Sequence, residues 1–227
     1  MRDIPVKNRE LLGRLSPYVD LLNRDREKFQ RIFHLSCSQE LRNRSYWVGD
    51  RHLREIRDQL NNHEGFPEIV CGYDLKIRED HVFFSQEAQP VEKMELMTEL
   101  SALNRDLIEW VAAANYALVA YYPPGGFISW HNNANAAAYN IIFTWSENGN
   151  GCFKYIDPET KELVVMQDKA GWQCKAGYFG RHNEPEKLLY HAAETDDWRL
   201  TISFMFNQGK MSEEFREDIL EEIATEE

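Results

Sequence analysis

From Ala117 to Phe206 the chain is a succession of short β-type runs separated by turn residues, and this series limits its fold more than any other feature. The runs are ALVAYY, FISWH, YNIIFTW, CFKYI, ELVVM, GWQC, GYF, LLYHA and WRLTISFMF. Pro123-Pro124-Gly125-Gly126, the segment SENGNG and Asp157-Pro158 fall between them and carry ordinary turn chemistry. About eight short strands in succession predict a jelly roll or barrel.

The residues before this series follow a helical period. Leu11, Leu12 and Leu15, then Phe29, Ile32 and Phe33, then Leu53, Ile56 and Leu60 recur at helical spacings and predict covering helices. Two short β-rich runs follow, Glu68 to Ile77 and His81 to Ser85. Pro90 then opens the most regular helix of the chain, expected over 91–115, with Met94, Met97, Leu100, Leu103, Leu107, Trp110 and Val111 as its apolar positions. The acidic tail MSEEFREDILEEIATEE places Phe215, Ile219 and Leu220 on one helical face and predicts a terminal helix. The expected class is α+β, mainly β, in one domain. Residues 1–90 form a helical and short-strand region packed on the barrel, 91–210 the barrel with its supporting helix, and 211–227 the acidic helix.

Composition narrows what such a barrel does. A net charge of −12 opposes sequence-independent binding to phosphate backbones, which makes nucleic acid a disfavoured partner. Cys37, Cys71, Cys152 and Cys174 form no C-x-x-C pair, so neither a structural zinc site nor a redox motif is indicated, and a reducing cytoplasm is expected. The chain opens on no apolar run of signal-peptide length and holds no stretch of eighteen apolar residues.

The last β-run carries the chemistry. It alternates Arg199, Thr201 and Ser203 on one face with Leu200, Ile202, Phe204 and Phe206 on the other. If the apolar face packs against the long helix, Arg199 points into the barrel, where a buried guanidinium requires an anion. A carboxylate ligand meets that need; so does a structural ion pair with Glu147 or Glu194. A hairpin centred near Thr195 would set His191 opposite Arg199. His131 ends the run FISWH, and strand alternation would put Asn133 on its side. Two imidazoles with open positions suit Fe(II), whose usual third ligand in such sites is a carboxylate. The other histidines, His34, His52, His63, His81 and His182, read as ordinary polar residues.

On these segments the chain resembles the 2-oxoglutarate and Fe(II)-dependent oxygenases over roughly Ala117 to Asn207, through YYPPGGFISWHNN, YNIIFTW, GNGCFKY, GWQCKAGYF and YHAAETDDWRLTISFMF. The resemblance implies a double-stranded β-helix, iron held by His131 and His191, Arg199 on the distal carboxylate of 2-oxoglutarate with Thr201 assisting, and Tyr122 at the co-substrate. It also implies hydroxylation of a small-molecule or peptide substrate with release of succinate and CO2. The family pattern His-x-Asp is here His131-Asn132-Asn133. An amide coordinates only through a neutral oxygen, so Asn133 is a ligand, leaves a position for water or an anion, or marks lost activity. Asn133 and Asn135 capping the local turn is the structural alternative. A catalytically silent barrel that binds a small carboxylate or a partner is the competing reading of the whole.

Overall fold

The computed structural model describes residues 1–36, 43–58, 65–74, 91–133, 139–206 and 210–226. The run expected at His81 to Ser85, and the positions of Leu60, His63, Ile77 and Asn135, lie outside them. The strands are β1 (Arg2–Ile4), β2 (Val70–Cys71), β3 (Tyr73–Asp74), β4 (Asn115–Tyr122), β5 (Phe127–His131), β6 (Tyr139–Ser146), β7 (Gly151–Ile156), β8 (Leu163–Gln167), β9 (Gly171–Tyr178), β10 (His191–Thr195) and β11 (Arg199–Met205). The helices are α1 (Arg9–Ser36), α2 (Arg44–Trp47), α3 (Asp50–Asp58), α4 (Val91–Trp110) and α5 (Lys210–Ala224). The expected run GWQC and the first two residues of GYF belong to the single strand β9. The long helix stops at Trp110 rather than 115, because Ala112 takes a φ of 47° and turns the chain into β4.

The strands form two antiparallel sheets, a six-stranded one in the order β1-β9-β6-β11-β4-β3 and a five-stranded one in the order β2-β5-β10-β7-β8. From β4 onward successive strands alternate between the sheets, except that β7 and β8 pair with each other. The Pro123 to Gly126 turn makes the first of these crossings. Gly125 sits at φ +83°, and a Cβ on Gly126 would come within 2.8 Å of the Pro123 carbonyl oxygen and of the Tyr122 Cβ.

Side-chain alternation sorts each strand into an outer and an inner face. On the outer face of the larger sheet, Val119, Tyr121, Ile141, Phe143, Cys174, Leu200, Ile202 and Phe204 pack with α1, α4 and α5 through Leu11, Leu15, Leu100, Leu107, Leu220 and Ile223. Outside the smaller sheet, Phe127, Trp130, Ile156 and Ala192 meet Val48, Leu53 and Ile56 from the α2–α3 region. Between the sheets, Ala120, Tyr122 and Ile142 face Ile128, Phe153, Tyr155 and Ala193. The third layer encloses the polar side chains described below.

The first helix starts where Asn8 accepts a hydrogen bond from the Leu11 amide at 2.9 Å, satisfying one of the amides a helix start leaves open. The Tyr18 hydroxyl on this helix donates to Asn104 on α4 at 2.8 Å, and the Tyr121 hydroxyl of β4 donates to the Tyr18 carbonyl at 2.9 Å. Helix α1 is thereby tied to the sheet that carries Arg199. Asn8→Ala is expected to lower unfolding stability by about 1 kcal/mol, read as a lower denaturant midpoint at constant slope. No helix among the described residues is long and apolar enough to cross a membrane.

Candidate metal and carboxylate site

His131 reaches the interior through an irregularity in its strand. His191 pairs with His131 and Ala193 with Ile128, so two residues of β10 span what three cover on β5. Strict alternation would put His131 on the side of Phe127, which packs outward; the extra residue turns it inward. Ser129 fastens the region, its amide donating to the Ile69 carbonyl at 2.9 Å and its hydroxyl accepting from the Ile69 amide at 3.2 Å.

The two imidazoles are buried, with ring centroids 4.0 Å apart and planes 51° apart. Nδ1 of His131 lies 2.8 Å from the Ser129 carbonyl oxygen, and Nδ1 of His191 lies 3.0 Å from that of Leu189. In a neutral imidazole, an Nδ1–H that donates to a carbonyl leaves the lone pair on Nε2, the tautomer a metal needs. Burial among Phe153, Phe179 and Leu189 pushes the His191 pKa down to about 4, so it is a neutral base at neutral pH. Among the described residues no group of three His, Cys, Asp or Glu gathers to hold a metal. Among the described residues, a metal at this pair would find its remaining donors in amides, water or a ligand.

Asn133 follows in the left-handed conformation, φ 65°, and is half-buried. The strand ends at His131, so the alternation argument for Asn133 does not extend to it. Asn tolerates this backbone region better than most residues, which is a local reason for an asparagine here.

Arg199 does enter the interior, but His191 is not its hairpin partner. The strands β10 and β11 belong to different sheets: His191 pairs with His131 and Tyr155, and Arg199 pairs with Tyr122 and Ser146. Asp197 steers the crossing. Its carboxylate accepts from the Asn148 and Asn150 amides at 2.8 and 3.2 Å and from the Ser146 hydroxyl at 3.1 Å. The pairings expected for Arg199 are also taken elsewhere, Glu147 by Arg26 at 2.7 Å and Glu194 by Lys154 and Arg44.

The partner of Arg199 is Asp168, just past β8, whose Oδ2 accepts from Nε at 2.7 Å. Thr201 accepts from Nη1 at 2.6 Å, and the guanidinium carbon lies 5.8 Å from the Tyr122 ring centroid. Thus Tyr122, Arg199 and Thr201 meet on one inner face. Burial pulls the Arg199 pKa down, but attraction to Asp168 and its hydrogen bond lift it above the ordinary value, so it stays a cation. Gly151 makes room for the carboxylate, because a Cβ there would lie 2.6 Å from Asp168 Oδ2. Lys175 on β9 completes the group, its ammonium 3.6 Å from Asp168 Oδ1 and 3.2 Å from Gln173 Oε1. At 3.6 Å the first contact is an ion pair without a hydrogen bond.

Asp168, Lys175 and Gln173 were not among the residues singled out from the sequence. The signal lay in β9, where Gln173 and Lys175 alternate with the apolar Trp172, Cys174 and Ala176, as the polar and apolar residues of β11 do. For Asp168 there was none, since it follows an edge strand in a turn.

No family model matches the sequence, and no curated protein matches it. Solved structures that resemble the chain include a Pseudomonas putida prolyl-4-hydroxylase, 14% identical, covering 68% of this chain and 83% of that one with a TM-score of 0.32. A Bordetella pertussis cupin domain is 14% identical, covering 40% and 79% with a TM-score of 0.27. The viral collagen prolyl hydroxylase of Paramecium bursaria Chlorella virus-1, solved as a 2OG complex, is 11% identical, covering 69% and 90% with a TM-score of 0.31. Likenesses at these scores assign neither a family nor an activity.

Proposed function

We propose that the chain is a double-stranded β-helix that binds one Fe(II) and 2-oxoglutarate and oxidises a C–H bond of a small molecule or peptide side chain. The observation that carries this reading is the pair His131 and His191, buried side by side with both Nδ1 atoms on backbone carbonyls, in the same interlayer as an arginine that spends no more than half its donors on the described residues. The interleaved order of the strands supports the fold part of the proposal.

His131 and His191 would hold the metal through Nε2, and Asn133 is the nearest candidate in sequence for a third protein donor. Bound Fe(II) and 2-oxoglutarate would let dioxygen act as the oxidant, one oxygen atom entering succinate as CO2 leaves and the other going to the substrate C–H bond. The chain's own part is positional. Arg199, oriented by Asp168 at Nε and by Thr201 at Nη1, offers its remaining donors to the distal carboxylate. Tyr122 stands beside the guanidinium and walls that end of the interior. Phe153, Tyr155 and Phe179 exclude water around His191. Succinate formed from 2-oxoglutarate only when Fe(II) and oxygen are supplied is the expected result; none above the metal-free control, with a range of amino acids and peptides added, would favour a silent carboxylate-binding barrel.

Asn133→Asp is expected to tighten Fe(II) binding at least ten-fold in the presence of 2-oxoglutarate, because a carboxylate offers the cation a full charge where the amide offers a dipole. Equal affinities by anaerobic titration would show that residue 133 does not face the metal.

A further inference from the structure

The carboxylate end of the interior contains one cation more than a structural ion pair needs. Arg199 and Lys175 share the single carboxylate of Asp168, and all three side chains are no more than 2% exposed. Arg199 alone satisfies the usual reason for burying Asp168. Among the described residues, Lys175 then has only a neutral amide oxygen at hydrogen-bond distance, and nothing donates to Asp168 Oδ1. Burying an ammonium whose one nearby carboxylate is already bound by a guanidinium is costly, and replacing it with an apolar side chain would ordinarily be neutral or favourable.

Two further groups point to the same place. Thr144 on β6 lies between Gln173 of β9 and Thr201 of β11 in the register, fully buried, and its hydroxyl has no partner among the described residues. Gln173 is held by its own amide, which donates to the Lys169 carbonyl at 3.0 Å, so its Oε1 is fixed toward the ammonium. Nothing among the described residues accepts from Nη2 of Arg199. Unspent donors therefore sit on three adjacent strands, β9, β6 and β11, around one excess positive charge.

We propose that Lys175 is the second cation of the carboxylate seat, so that a ligand carboxylate lies between β9 and β11, held by the Lys175 ammonium, the Thr144 hydroxyl and the open Nη2 of Arg199. This deepens the reading given above and rests on it for the identity of the ligand as a 2-oxo dicarboxylate. Asp168 is the spacer that keeps two cations from closing on each other, and the incoming carboxylate brings the group from one positive charge to neutrality. The seat selects a ligand end that is a carboxylate over a neutral end of the same length, because a carboxylate there meets two cations instead of one.

The test uses glutarate, which has both carboxylates and no keto group, titrated calorimetrically into the full chain without metal. Wild type is expected to bind it. K175M is expected to weaken binding at least ten-fold while K175R retains it within a few-fold. A folded K175M, judged by its thermal midpoint, that binds glutarate like wild type overturns the proposal, as does a wild type that does not bind it. Should K175M fail to fold, T144V reads the same seat: at least three-fold weaker binding supports the proposal and unchanged binding overturns it. A parallel titration of 2-oxoglutarate with Mn(II) separates the two readings. If metal adds nothing to 2-oxoglutarate over glutarate, the oxygenase reading fails while the seat stands. If K175M keeps wild-type, metal-dependent affinity for 2-oxoglutarate, the seat fails and the oxygenase reading stands.

Discussion

Replacing His131 and His191 together by alanine is expected to take bound iron or manganese from one ion per chain to none in a protein that keeps its fold. The separation of the two effects has a physical basis. Each ring is packed, and each donates to one backbone carbonyl, so truncation opens space and leaves the Ser129 and Leu189 oxygens without those donors. A lost hydrogen bond of this kind costs about 1–3 kcal/mol. The sheets that carry the rings are held mainly by the outer apolar layers, which the change does not touch. Metal binding has no such reserve among the described residues, where no group of three His, Cys, Asp or Glu gathers to replace the pair. Metal analysis after dialysis decides the point, and an unchanged stoichiometry in the folded double variant would place the ion elsewhere.

Arg199→Ala is expected to have two consequences that a combined variant separates. Removing the guanidinium leaves Asp168, whose side chain is fully buried, with only the 3.6 Å contact to Lys175 among the described residues, and breaking a buried pair in this way costs about 3–5 kcal/mol. It also removes the main donor to the ligand carboxylate, so 2-oxoglutarate affinity should fall at least a hundred-fold, equivalent to about 2.7 kcal/mol. Loss of binding in Arg199→Ala alone would therefore be open to the objection that the barrel has come apart. The triple change Arg199→Met, Asp168→Leu and Lys175→Met removes every charge of the group together. Buried charge clusters replaced by apolar side chains of similar volume commonly hold or gain stability, so this variant should unfold at or above the wild-type midpoint and still not bind 2-oxoglutarate. Retained binding in the stable triple variant would show that the carboxylate is held by other residues.

The faces of the strands were legible from the sequence, and the partners were not. The alternation of Arg199, Thr201 and Ser203 against Leu200, Ile202, Phe204 and Phe206 names which side meets the helices, because a period of two is a property of one strand by itself. The symmetric hairpin about Thr195 failed for the complementary reason. Nothing local tells a chain whether to fold back beside its last strand or cross to the opposite sheet, and here the turn held by Asp197 sends it across. The run FISWH places His131 at a strand end, while the irregularity that delivers it to the interior is a relation between β5 and β10 that no single run encodes. Asp168 is the clearest omission. Its importance comes from Arg199 and Lys175, each distant in sequence, and from the absence of a side chain at Gly151.

The alternation of strands between sheets has a consequence for how the chain reaches this state. Except for β7 with β8, every ladder from β4 onward joins segments that are not successive in the chain, and β4 must wait for β11 to be made before it gains its neighbour there. Loops of this length must be closed before their contacts reward the closure, which puts the fold among the slow, high-contact-order topologies. His131 and Arg199 acquire their surroundings only when β10 and β11, the last strands, have docked. A nascent chain stopped before residue 191 would lack the strand that joins the two parts of each sheet as well as His191 and Arg199, so the walls and the polar interior close together at the end of folding.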